Sequence, residues 1–93
     1  MKITVTCDDK YEAQKLASLI YNKDGKETFF TNVLSIYQNE LVISIKDRSA
    51  HSVLLKDKNE VEMLADFFQS IIEKEHRITS AEAQGKEVKI TKE

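Results

Sequence analysis

The residues of this chain best equipped for chemistry stand together near its start, in the run Cys7-Asp8-Asp9. A cysteine at a strand end is a candidate nucleophile, but the reactive species is the thiolate, which needs a base or a positive neighbourhood. Two adjoining aspartates supply the opposite and raise the thiol pKa. The same carboxylates are candidate Mg²⁺ ligands, yet such a site usually recruits acids from other elements or a bound phosphate, and nothing in the sequence identifies them. The simpler reading is a core-edge cysteine followed by helix caps. His51 and His76 are the two histidines, and neither has a cysteine, histidine or acid at a recognised metal-ligand spacing. His51 reads as a turn or strand-start residue and His76 as a cation at a helix C-terminus. Lys46, Arg48, Lys56 and Lys58 form a modest basic rim that Asp47 and Asp57 dilute. No enzyme, cofactor or metal chemistry is expected.

Composition narrows the function classes further. Ninety-three residues make one domain, 1–93, with a core of limited depth. A hydrophobic share of 41% beside 32% charged residues is that of an ordinary globular chain. The net charge of −2 and the pI near 5.7 argue against a general nucleic-acid binder, which needs a basic face to release counterions. Only Gly25 and Gly85 are glycines, which excludes Gly-rich phosphate loops and dinucleotide fingerprints. No run is long and apolar enough for a membrane span, and MKITVTCDD is a strand pattern instead of a signal-peptide core. With a single cysteine, these features predict a cytoplasmic protein without a membrane partner.

The elements that must position these residues follow from periodicity. The segment from Asp57 to His76 carries Val61, Leu64, Ala65, Phe68, Ile71 and Ile72 on one helical stripe. Asp57 with Glu60 reads as a capping box, and Lys74, His76 and Arg77 suit the other end. Lys2 to Cys7 alternates as a half-buried strand. Asp9 with Glu12 then makes a second capping box for a helix over Lys10 to Asn22, whose stripe is Ala13, Leu16, Ala17 and Ile20. Asn22 to Lys26 is a turn around Gly25.

From Glu27 to Lys56 the period becomes two. A hairpin loop at Gln38-Asn39 pairs Ile36 with Leu41, Leu34 with Ile43 and Val33 with Ser44. Leu34, Ile36, Leu41, Ile43 and Ile45 then share the core face. A turn over Asp47 to Ala50 leads to a third strand, Ser52 to Lys56, placing Val53 and Leu55 opposite Ile45 and Ile43. The first strand is expected to join this sheet. Ser80 to Gln84 reads as a helical turn stopped by Gly85, and Glu87 to Thr91 as a weak edge strand, so that 77–93 is an edge strand or frayed tail. No internal repeat is apparent. The expected fold is α+β, a two-layer sandwich in which two helices pack on one face of an antiparallel meander, in the order β-α-β-β-β-α with a weak C-terminal strand.

Two surfaces of that fold are candidates for contact with a partner. The second helix has an acidic face containing Glu62 and Asp66, with Met63 and Phe67 one turn apart beside it, a combination suited to a basic protein surface. The outer sheet face gathers Phe29, Val33, Tyr37, Val42 and Leu54, more apolar residues than a free face needs. A protein partner or a second copy of the chain is expected there, and the function that follows is a non-catalytic interaction module. The alternative is a small nucleic-acid accessory using the basic rim.

Helix, three strands, helix from Asp9 to Glu75 resembles the element order of the double-stranded-RNA-binding domain. That family starts its second helix with basic residues, where this chain has Lys56-Asp57-Lys58-Asn59-Glu60-Val61-Glu62. RNA binding is therefore not carried over. The order is also similar to that of some small acidic phage-encoded inhibitors of host CRISPR nucleases, a resemblance that implies docking into a protein groove otherwise filled by DNA.

Overall fold

Eight elements follow one another along the chain: β1 (Lys2–Thr6), α1 (Lys10–Ile20), β2 (Phe30–Tyr37), β3 (Glu40–Ile45), β4 (Ala50–Leu54), α2 (Lys58–Lys74), β5 (Ile78–Gln84) and β6 (Glu87–Lys92). The computed structural model describes residues 1–21, 30–45 and 49–93. The expected turn at Gly25, Phe29 and the rim residues Lys46, Asp47 and Arg48 lie outside the described residues, as does the side chain of Ile45. The class is α+β with antiparallel strands, as the periodicities predict.

Both helices begin where the sequence places their caps. Asp9 Oδ1 accepts from the Glu12 N–H at 2.9 Å, and Asp57 Oδ1 from the Glu60 N–H at 3.0 Å, satisfying one of the free donors of each first turn. The second half of each capping box is absent. Glu12 instead accepts from the Leu54 N–H and Glu60 from the Thr6 N–H, each at 3.2 Å. The carboxylates tie each helix start to the other helix's leading strand.

The strands form two three-stranded sheets, β1-β6-β5 and β2-β3-β4, in place of one meander. β1 leaves the meander because β6 supplies it a partner, with Ile3 opposite Ile90 and Val5 opposite Val88. The segment 77–93 is a hairpin instead of a frayed tail: β5 is the edge strand, and β6, expected at the edge, is the central strand of its sheet. Val88 and Ile90 are fully buried. Gly85 sits in the hairpin turn at φ +61, where a left-handed residue is needed, instead of ending a helix. β5 escapes recognition as a strand because its inward residues after Ile78 are alanines, Ala81 and Ala83, small enough to let α1 lie close.

Register in the second sheet is mixed. Ile36 pairs with Leu41 as expected, but a bulge between Val33 and Ser35 leaves Val33 opposite Ile43 and Asn32 opposite Ser44. The extra residue reverses the faces: Val33 packs against the core and Leu34 turns to solvent. On the other side, β4 pairs Val53 with Leu41 and His51 with Ile43. That is four residues along β3 from the expected register, an even shift that keeps Val53 and Leu55 facing the core.

Contrary to the expectation of no internal repeat, the architecture contains one, and six residues carry it at a constant spacing. Val5, Asp9, Lys10, Glu12, Leu16 and Ala17 recur as Val53, Asp57, Lys58, Glu60, Leu64 and Ala65. Each half is β-α-β-β, and the halves are intertwined. β1 pairs with β6 of the second half, and β4 pairs with β3 of the first. The halves meet at a bridge between Cys7 and Leu55, where the hydrogen bonds are reciprocal: Asp8 N–H to Leu54 O and Lys56 N–H to Thr6 O, both 3.0 Å. Cys7 N–H reaches Lys86 O at 2.7 Å, and the equivalent Leu55 N–H reaches Asn39 O at 2.8 Å. Even the hairpin turns correspond, Gln38 at φ 53 and Gly85 at φ +61. One continuous core, including Leu16, Ile20, Leu64 and Phe68, fills the space between α1, α2 and both sheets.

Candidate interaction surface

Where the two halves meet, the run Cys7-Asp8-Asp9 joins the end of β1 to the cap of α1. The end of β1 carries Cys7 into the core, where its side chain is buried. Burial pushes the thiol up to about 12, and the Glu12, Glu60 and Asp9 carboxylates push in the same direction. Such a thiol is almost wholly protonated at neutral pH, so it is a poor nucleophile. Asp9 is occupied by its cap and Asp8 faces solvent.

Glu12 and Glu60 have a structural task at this junction. Replacing Glu60 with alanine leaves the Thr6 N–H without its carboxylate, an expected cost of about 1.5–3 kcal/mol. Glu12→Ala should cost a similar amount through Leu54. Urea unfolding of both variants checks the equivalence. A negligible change for either would remove it from the junction's support.

The remaining titratable candidates do not converge. His51 lies in β4, its Nε2 2.9 Å from Ser49 Oγ. His76 follows the left-handed Glu75 at the end of α2, its N–H bonded to Ile71 O and its Nδ1 buried without a protein partner. Among the described residues no three His, Cys, Asp or Glu side chains are placed to hold a metal ion. Two shallow recesses of about 220 Å³ each run along α1 and β5, lined by Tyr21, Arg77, Ile78 and Thr79 and by Ala17, Ser18, Tyr21 and Ala81. Among the described residues neither recess is lined by the cysteine, a histidine or a carboxylate. Of the basic rim, Lys56 and Lys58 are exposed, and Lys58 Nζ lies 3.9 Å from Glu62. That pair weakens the field a phosphate would feel.

The expected partner-binding residues divide into two groups. On α2, Glu62 and Asp66 are exposed and Met63 is 40% exposed. Phe67 is only 6% exposed and belongs to the core, with its ring centroid 6.5 Å from that of Phe68. The ammonium of Lys92 stands 5.3 Å above the Phe67 ring. It also donates to Ser70 Oγ at 2.9 Å, leaving Lys92 just 4% exposed. The helix is therefore covered on a wider arc than its main stripe predicts, because β6 supplies a residue that closes over it.

On the sheet, Val33 faces inward, Val42 and Leu54 are half-buried, and Tyr37 is 69% exposed. Two apolar residues expected in the core join Tyr37 in solvent: Leu34 at 51% and Ile36 at 45% exposure. All three lie on β2, which among the described residues is an edge strand of its sheet. From Thr28 to Asn39 the sequence holds no charged residue, although edges are usually blunted by charge or proline. Strand β5, the equivalent edge in the other half, has Ala81-Glu82-Ala83-Gln84 and runs without a bulge from Ser80 to Gln84. The comparison between the halves exposes the difference: one hairpin gains an extra leucine and turns it outward.

No helix among the described residues is long and apolar enough to cross a membrane. The chain matches no protein-family model, and no curated protein or solved structure matches it.

Proposed function

We propose that this protein is a non-catalytic interaction module that docks another protein through β2, with Leu34, Ile36 and Tyr37 as apolar anchors. The observation that carries this reading is the bulge at Leu34, which exposes a large apolar residue on an uncharged edge strand. Bulges on edge strands often re-aim a side chain for a purpose. Exposed leucine, isoleucine and tyrosine side chains offer area that a partner can remove from water, while the strand edge offers backbone donors and acceptors. Helix α2 packs on β2, and its Glu62, Met63 and Asp66 add acidic character and a flexible apolar contact. That combination suits a partner with a basic surface, whose approach the acids would accelerate at low salt.

Affinity capture with the intact chain tests the reading. A partner held by the natural protein should be lost by more than tenfold, about 1.4 kcal/mol, when Leu34 and Tyr37 are both changed to aspartate. Exchanging Glu62 and Asp66 for lysine should slow capture and flatten its salt dependence. Capture that survives the Leu34/Tyr37 double change would exclude β2 as the docking edge.

A further inference from the structure

The repeat supplies a comparison that one sheet alone cannot. Each sheet turns one face to the core and the other outward, and the outward positions of the two sheets correspond row by row. In the first sheet the middle outward row is Glu82-Lys89-Thr4, with Lys2 and Glu87 on the rows beside it. These four charged residues are all exposed, the usual finish of a solvated sheet face. In the second sheet the middle row is Ser35-Val42-Ser52. Ala50 takes the place of Lys2, Leu54 that of Thr6 and Tyr37 that of Gln84. Of the four charged positions one keeps its charge, Glu40 in place of Glu87. One backbone plan thus carries a solvated face and a nearly neutral one, on which Val42, Leu54 and Tyr37 point outward.

We propose that a second copy of this chain covers the neutral face, the two protomers packing their β2-β3-β4 sheets against each other. Charge favours this occupant. Helix α2 buries its stripe with Leu41 and Ile43 on the core side of the sheet, so its exposed Glu62 and Asp66 lie on the side away from the outer face. In a face-to-face dimer both sheets, stacked about 10 Å apart, stand between the two acidic helices. Their separation then exceeds the screening length of about 8 Å at physiological salt. A basic partner finds a single carboxylate on these rows, whereas a second neutral face can cover it without stripping water from unpaired charges.

The pattern is also its own complement. A two-fold axis along the Ser35-Val42-Ser52 row brings Val42 against its twin, and it sets the row holding Glu40 over the row holding Ser44. The two carboxylates then sit at opposite ends of the contact. Three strands of about six residues, about 4.8 Å apart with a rise of about 3.3 Å per residue, present a flat area of roughly 300 Å². Standard complexes bury about 800 Å² per partner, so the contact is weak and concentration-dependent. It is separate from docking through the β2 edge, because Leu34 lies in the bulge and Ile36 stands on the core side opposite Leu41.

Sedimentation equilibrium of the intact chain from about 10 μM to about 1 mM tests the proposal. The mass should rise from the 10.7 kDa of one chain toward twice that value. Val42→Lys copies Lys89 of the solvated face, a place where the same fold accepts it, and should weaken self-association more than tenfold with an unchanged far-ultraviolet circular dichroism spectrum. Leu54→Thr, which copies Thr6, should weaken it several-fold and gives the same reading should the Val42 variant not fold. Leu34→Asp strikes the β2 edge and should leave self-association as it is. A single-chain mass at the highest concentration overturns the proposal, as does a dimer that keeps its affinity in the Val42 and Leu54 variants. A dimer that dissolves with Leu34→Asp would be held by strand edges and would overturn face-to-face packing. Capture of a different protein through the β2 edge succeeds or fails independently of the mass, so the two readings are tested separately.

Discussion

Replacing Phe68 by alanine is expected to remove about 3–5 kcal/mol of stability, the range for deleting a large buried ring whose site collapses only partly. Phe68 is fully buried on α2 and occupies the place that Ile20 holds on α1, so it stands at the centre of the shared core. A chain of this size has roughly 5–14 kcal/mol in total, and the loss is a large share of it. With a urea slope of about 1–3 kcal/mol/M, the unfolding midpoint should fall by roughly 2 M. Met63 on the same helix is 40% exposed and should tolerate alanine within about 0.5 kcal/mol. A midpoint shift for Phe68→Ala no larger than that of Met63→Ala would mean that the core is not organised around α2.

The features that were legible before the fold was known are those set by residues close together in the chain. Asp9 with Glu12 and Asp57 with Glu60 mark helix starts because a cap acts over three positions. The turn at Gln38-Asn39 fixes Ile36 opposite Leu41 for the same reason. Strand partnership is different in kind: nothing near Lys2 states that it will pair with Thr91. The bulge at Leu34 is equally silent, since an alternating pattern reads the same until one residue is inserted into the pairing. Consequently Leu34 and Val33 exchange faces, and the exposed apolar stretch of β2 becomes visible only in the structure. The repeat is only partly legible, because beyond six identities the halves keep places more than residue types. Cys7 stands where Leu55 does, Ala13 where Val61 does, and Ile20 where Phe68 does. Each pair fills the core, which volume and burial permit with different side chains. Among the contact candidates, the exposed set on α2 was legible as an acidic face, whereas Phe67 was not separable from Met63 without knowing that Lys92 covers it.

Cys7 is expected to be about a thousandfold slower toward a thiol reagent at pH 8 in the folded protein than in urea. An ordinary cysteine, with a pKa of 9.0, is roughly a tenth thiolate at that pH, whereas a thiol pushed up to about 12 is ionised in about one molecule in ten thousand. Burial of the sulfur reduces access further. The same shift makes stability depend on pH, and its sign is set by which form the fold prefers. Folding raises the pKa from 9.0 to about 12, so the folded state favours the neutral thiol and the unfolded chain releases the proton first. The contribution is fully present below about pH 9 and is lost as pH rises toward about 12. At 1.36 kcal/mol per unit its complete loss is on the order of 4 kcal/mol. Cys7→Val isolates the effect, because the equivalent Leu55 shows that the junction accepts an apolar side chain and every other titrating group is common to both proteins. The valine variant should lose stability less steeply between pH 9 and 11. Parallel decline of the two proteins over that interval, or equal labelling rates for Cys7 in the folded and unfolded chains, would show that the thiol is not held neutral by the core.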